Sequence, residues 1–396
     1  MSLHRRDLLG SGALLASAAA LPSPAAKTPK PILMKLGATV RGGFPGGGRG
    51  PAPNAAAPPS GEGPRGPRRG AGGPPRDPEY GFRSLGRWGI KNVVATAQIA
   101  DGRLYATVEE LTKLTDTAAK FDISVDVLNP PFLPSSHIDR ERNPAIMLGE
   151  SPQRDRDIEQ IQTMIKNCAA AKIPCIKYNM SLLGVLRTGH VKGRGDSEYG
   201  AYKLKDAKPN PPLTRAGVVD ADRYWERITY FLERVIPVAN EYKVRMACHP
   251  NDSPVPPEGY QGIVAVLGTV EGLKKFVSIK ESPYHGLNFC QGSISEMLAD
   301  PGKEIYDVIR WFGTRKKIFN VHFRNIKGRR DDFMEVAPDE GDVDMFKAIQ
   351  TYKEVGFPYM VQPDHDVYSP SDTGGEYMAF VYGYIRALMQ AADRTA

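Results

Sequence analysis

Apolar residues recur along this chain in two alternating rhythms. Short strand-like runs appear at 32–37, 92–97, 123–128, 175–179, 244–248, 287–290, 318–323 and 359–362. Between them, spacings of three and four place apolar side chains on one helical face at 81–89, 107–121, 151–171, 224–242, 270–277, 304–312, 344–352 and 375–391. The run at 224–242 is typical, with Trp225, Ile228, Phe231, Leu232 and Val235 sharing a face. Thr107 with Glu110 reads as a capping box that starts its helix. The stretch between Asn179 and Tyr224 shows no such rhythm and reads as a long polar loop.

Strands alternating with helices predict a parallel α/β fold, and the count of eight predicts a (β/α)8 TIM barrel formed by one catalytic domain over 31–396. A doubly wound open sheet is the alternative. It lacks a Gly-rich nucleotide fingerprint after the first strand.

Composition narrows the function classes. With 41% hydrophobic and 24% charged residues, the 396-residue chain is not wholesale disordered. No apolar run approaches the ~20 residues of a spanning helix. Four cysteines are too few for a disulfide framework. Cys168 and Cys175 read as buried spectators, one in a helical pattern and one in a strand. The net charge of +7 suggests nucleic acid until it is located: residues 1–30 carry +3 and residues 41–78 carry +4, so the rest sums to zero. A neutral folded body offers no electrostatic footprint for nucleic acid.

The two basic segments have their own readings. Residues 1–26 contain Arg5-Arg6, a short apolar stretch, and small residues at Ala18-Ala19-Ala20 and Pro24-Ala25-Ala26. This reads as a Tat-like signal peptide, implying the Tat export machinery as a partner and a periplasmic or otherwise exported location. Residues 41–78 hold 12 Gly and 10 Pro in 38 positions, a composition that reads as a disordered insertion after the first strand.

In a TIM barrel the chemistry sits where strands end and βα loops begin. In the second half those positions are His249, Cys290, His322 and Asp364, spaced by 41, 32 and 42 residues, each about one strand–helix unit. Two imidazoles, a thiolate and a carboxylate on neighbouring strands would converge on one mouth. That donor set suits a divalent transition ion such as Mn, Fe or Zn.

The same region resembles the D-mannonate dehydratase family. The resemblance rests on Cys248-His249-Pro250-Asn251-Asp252, Gly286-Leu287-Asn288-Phe289-Cys290-Gln291-Gly292-Ser293, His322-Phe323-Arg324-Asn325, Gly341-Asp342-Val343-Asp344-Met345 and Pro363-Asp364-His365, in the family's order. Phe231 to Ala239, Tyr178-Asn179 and Leu186-Arg187-Thr188 also match. It implies a xylose-isomerase-like barrel with Mn²⁺ or Fe²⁺ on His249, Cys290, His322 and Asp364. It further implies that His365 is a catalytic acid/base. Substrate would lie near Arg324, Asn325, Tyr178, Asn179 and Arg187, and D-mannonate would be converted to 2-dehydro-3-deoxy-D-gluconate and water. The family's catalytic tyrosine has Tyr368 and Tyr377 as candidates here, with Tyr377 taken as the counterpart.

The chain departs from the family at several points. Asn251 stands where the family has Asp. Gln362 replaces the Arg before Pro-Asp-His, and Asp366 replaces the following Gly. Pro338 replaces the His of a Glu-x-x-His stretch that begins here at Glu335. An Arg lost and an acid gained should weaken carboxylate recognition. A sugar isomerase or epimerase on the same barrel is the competing enzyme class, and Cys290 argues against its carboxylate-rich ligand sets. A non-catalytic exported sugar-binding protein is the third class. The sequence leaves the oligomeric state open, a homo-oligomer included.

Overall fold

In a computed structural model of the chain, residues 31–40, 79–99, 102–372 and 375–395 are described. The leader at 1–26 and the insertion at 41–78 lie outside the described residues.

All eight expected strands form. They are β1 (Lys35–Thr39), β2 (Asn92–Ala95), β3 (Ser124–Leu128), β4 (Cys175–Asn179), β7 (Arg245–His249), β8 (His285–Cys290), β9 (Ile318–His322) and β12 (Met360–Gln362). They close as a parallel barrel in the order β1-β12-β9-β8-β7-β4-β3-β2. The remaining strands are β5 (Gly189–Lys192), β6 (Glu198–Lys203), β10 (Asn325–Arg329) and β11 (Asp332–Val336). These make a separate four-stranded antiparallel sheet, ordered β10-β11-β6-β5. This sheet corrects the reading of 180–223 as loop. Its strands are short, and Gly189–Lys192 is almost wholly exposed, so neither apolar alternation nor length marks it.

Alternation along the barrel strands decides what faces the axis. Val94, Val127, Cys175, Ala247, Phe319 and Met360 form one inward cluster a few residues before the strand ends. Two residues past Ala247 stands His249, and two past Met360 stands Gln362. The opposite faces pack on the outer helices. Helix Ala221–Tyr242, capped by Asp220 Oδ1 on Arg223 N at 2.8 Å, buries Ile228, Phe231, Leu232 and Val235. The capping box at Thr107 forms in both directions, Glu110 N to Thr107 Oγ1 at 3.2 Å and Thr107 N to Glu110 Oε2 at 2.7 Å.

Among the described residues no helix is long and apolar enough to cross a membrane. All four cysteines are free and buried. Burial pushes the Cys175 thiol up to about 11, and Cys168 and Cys248 higher still, as inert core thiols should be.

Candidate metal centre

The four strand-end residues meet. His249 ends β7, Cys290 ends β8, His322 ends β9, and Asp364 follows β12. One ligand atom from each lies within 4.8 Å of all the others. Asp364 Oδ1 is 3.0 Å from His322 Nδ1, and Oδ2 is 3.4 Å from Cys290 Sγ.

The local chemistry fits a cation. His249 Nδ1 lies 2.7 Å from the Pro250 carbonyl, which can only accept, so the proton sits there and Nε2 keeps its lone pair. Burial, with Lys177 adding to it, pulls His249 down to about 4, so its imidazole is neutral at neutral pH. His322 Nδ1 is buried without an aligned hydrogen-bond partner, although Asp364 faces it. Burial opposes ionisation of Asp364, but His322, His365 and Arg324 outweigh it and hold the carboxyl well below its usual range. Two neutral-capable nitrogens, a sulfur and a carboxylate suit a transition ion better than an oxygen-seeking one.

Beside this group lies a buried charge network that sequence reasoning missed. Asp252, Glu296 and Glu335 surround two guanidiniums. Arg324 Nη1 reaches Glu296 Oε1 at 2.7 Å and Glu335 Oε1 at 2.5 Å, and Nη2 reaches Asp252 Oδ2 at 2.8 Å and Ser293 Oγ at 3.1 Å. Arg324 Nε is 3.3 Å from Asp364 Oδ2, and Nη2 is 3.7 Å from Cys290 Sγ. Arg187 reaches Asp252 Oδ1 and Ser253 Oγ at 2.8 and 2.7 Å, and Glu335 as well. Burial tends to raise Asp252 and Glu335, but the arginines overrule it and keep both carboxyls low. Glu296 ends differently: burial, reinforced by Asp252, lifts it to about 8. Gly292 makes the network possible, because a Cβ there would stand 2.5 Å from Arg324 Nε.

The antiparallel sheet supplies part of this network. Glu335 comes from β11, and Arg187 lies two residues before β5. His365 Nδ1 lies 2.6 Å from Glu335 Oε1, and its Nε2 lies 3.8 Å from Asp364 Oδ2. Burial alone would lower His365, yet Asp364 and Glu335 raise it to about 9, so it is an imidazolium at neutral pH. A pocket opens from His365 and Asp364 towards Tyr377, Val381, Glu198 and Asp366. Tyr377 stands in the first turn of helix Glu376–Arg394, and burial keeps its phenol protonated. Tyr368, by contrast, is 48% exposed.

The residues expected to touch substrate divide sharply. Arg324 and Arg187 reach the site but turn their donors to internal acids and to Ser253 and Ser293, so they organise Cys290, Asp364 and Glu335. Asn325 is also corrected: its amide donates to the Pro338 and Val343 carbonyls and accepts from Ile326 and Val343 N–H, leaving nothing to offer. Its amide packs so tightly on Gly341 that a Cβ there would lie 2.2 Å away, which explains the glycine in that motif. Tyr178 faces outward, fully buried against Phe231 with ring centroids 5.6 Å apart, and does not line the mouth. Period-two alternation alone does not decide which parity of a strand faces the axis. Asn179 is inward, in register with His249, with Nδ2 3.4 Å from the Leu133 carbonyl. The Asn251 departure is structural: the side chain bonds Met180 O and Leu267 N, each at 3.1 Å.

Known proteins resemble this chain in sequence and in fold. Residues 200–394 match the family model described as D-mannonate dehydratase (UxuA). The chain is 29% identical over 313 residues to a mannonate dehydratase of Thermotoga petrophila, covering 70% of this chain and 82% of the relative. It is 28% identical to one from Endomicrobium trichonymphae, covering 70% and 81%. Among solved structures, mannonate dehydratase from Streptococcus suis serotype 2 matches with a TM-score of 0.66 at 24% identity, covering 77% of this chain and 88% of that one. A xylose isomerase domain protein from Planctomyces limnophilus shares the fold with a TM-score of 0.51 at 13% identity, covering 79% and 93%.

Proposed function

We propose that this chain is a member of the D-mannonate dehydratase family and, from that premise, a metal-dependent hydro-lyase converting D-mannonate to 2-dehydro-3-deoxy-D-gluconate and water. The observation that carries the reading is the convergence of His249, Cys290, His322 and Asp364 within 4.8 Å, with His365 beside them. These four would hold the ion, which we take to be Mn²⁺ or Fe²⁺. Such an ion stabilises the negative charge that develops next to the substrate carboxylate when C2 loses its proton, and eases departure of the C3 hydroxyl.

The chain's own residues supply the rest. His365 carries the proton needed by the leaving hydroxyl: Nδ1–H donates to Glu335, so Nε2–H points to the Asp364 side and delivers the acid proton. The C2 proton passes to solvent in the open pocket, and the C2–H electrons form the C2–C3 double bond as the C3–O bond breaks. The hydroxyl leaves as water with the His365 proton, and the enol relaxes to the ketone as its hydroxyl proton moves to C3. The neutral His365 then regains a proton from solvent. Arg324 bridges Asp364, Asp252 and Glu335, and so fixes the carboxylates around that proton. Tyr377, a half-buried protonated phenol across the pocket, is our second catalytic group, acting as a donor to substrate oxygen. Asn179 lies at the mouth as a substrate contact, with Arg187 and Arg324 acting through the acids they hold.

The test is direct. Protein loaded with Mn²⁺ or Fe²⁺ should release 2-dehydro-3-deoxy-D-gluconate from D-mannonate, and chelation followed by dialysis should abolish this until the ion is returned. Metal-independent turnover, or isomerised sugar as the product, would overturn the reading.

We also propose that the chain is exported through the twin-arginine route, on the strength of Arg5-Arg6 and the apolar stretch after them. Cys290 gives such a route a purpose, since folding and metal loading in the cytoplasm precede exposure of the thiolate to an oxidising compartment. Arg5→Lys combined with Arg6→Lys should leave the precursor in the cytoplasm of a host cell. Unchanged periplasmic recovery of that double variant would rule the route out.

A further inference from the structure

Gln362, which ends β12, is fully buried and pairs in strand register with His322. Met360, two residues earlier, belongs to the inward cluster, so strand alternation turns Gln362 to the barrel axis as well. Its orientation is fixed. Thr39 Oγ1 at the end of β1 donates to Gln362 Oε1 at 3.1 Å, which leaves Nε2 as the free end of the amide. That Nε2 has no hydrogen-bond partner among the described residues. A buried donor left unpaired is costly, and an enzyme retains one where a ligand completes it.

We propose that Gln362, held by Thr39, is a specificity-determining residue that donates a hydrogen bond to a hydroxyl oxygen of the bound sugar acid. This rests on the dehydratase reading above and deepens it by naming what this chain reads in its substrate. A hydroxyl fits better than a carboxylate. The mouth already holds Asp252, Glu335 and Asp364 as anions, and Arg187 and Arg324 are turned towards them. A substrate carboxylate set against the uncharged amide would gain only a neutral partner for the desolvation it costs, whereas the cations that suit it are the ion and the His365 imidazolium. A neutral hydroxyl meets no such penalty, and accepts from Nε2 while keeping its own hydrogen for another partner. The rival occupant is a trapped water joining Nε2 to Asn320 Oδ1, which is also partnerless and lies on the neighbouring strand.

Gln362→Met keeps length and volume but removes the donor. The test measures kcat/KM of the metal-loaded full chain on D-mannonate and on its 4-, 5- and 6-deoxy analogues. For D-mannonate the variant should lose about tenfold, mainly in KM, with metal content unchanged. One deoxy analogue should be handled equally by wild type and variant, and that analogue identifies the hydroxyl. Thr39→Val, which frees the amide without removing it, should show a smaller loss on the same substrates. An unchanged KM points to the trapped water and overturns the proposal, as does an equal loss on every analogue. If the wild type dehydrates no hexonate, the dehydratase reading fails separately, and calorimetric binding of D-mannonate still decides this one. Tenfold weaker binding by Gln362→Met supports the contact; equal binding, or none by the wild type, sinks it.

Discussion

Alanine at His249 or at His322 is expected to strip the protein of most of its metal and at least ~10³-fold of its dehydratase activity, the scale of charge stabilisation an ion contributes. Each imidazole is one of four donors in this group, and among the described residues the neighbouring carboxylates of Glu335 and Asp252 are held by arginines. The His249 ring is already neutral and its Nδ1 already pinned by the Pro250 carbonyl, so little reorganisation is asked of it on binding. Loss of that ring removes a prepared donor. The two rings pack 5.2 Å apart, so either truncation also leaves a small void. Elemental analysis of purified protein, alongside a thermal melt recorded without metal, separates the two effects. Near-normal melting with metal lost is the expected pattern. Full occupancy in both variants would remove His249 and His322 from the ligand set.

The ligand set was legible in the sequence because barrel topology converts strand order into spatial order. His249, Cys290 and His322 end consecutive strands of the closed sheet and Asp364 follows the next, so spacings of about one strand–helix unit sufficed. The charge network was not legible for the converse reason. Arg187 and Glu335 are 148 residues apart and meet only through an antiparallel sheet whose strands are short and half-exposed. No periodicity announces such a sheet, and a motif containing Arg324 says that the residue is needed without saying whether it faces substrate or acid. Asn325 and Tyr178 show the same limit. Both sit in recognisable motifs, yet one is spent on backbone around Gly341 and the other is core under Phe231. Glu296 carried no sequence signal at all, being an ordinary acid next to a short helix until the fold seals it beside two arginines.

His365→Asn is expected to keep the metal and lower kcat by about 10²–10⁴-fold, the usual contribution of a positioned acid or base. The residue adjoins Asp364 but is not needed to complete four ligands, so metal content should hold. Substrate affinity should change far less than kcat, since the ion and the pocket remain. The pH dependence supplies a second signature. Burial would make His365 a weaker base, but Asp364 and Glu335 raise it to about 9. The protonated form is therefore the resting form at neutral pH, and it is lost as pH rises through that value. An acid in this role gives wild-type activity an alkaline limb, with a cation on Asp364 moving the limb downward by weakening that carboxylate's pull. The Asn variant should lack the limb, because an amide cannot titrate. Glu335→Gln should shift the limb to lower pH, because it removes one of the two anions that hold the proton. If metal falls in step with activity in His365→Asn, the imidazole is a ligand and the acid must be sought elsewhere, with Tyr377 across the pocket the next residue to replace.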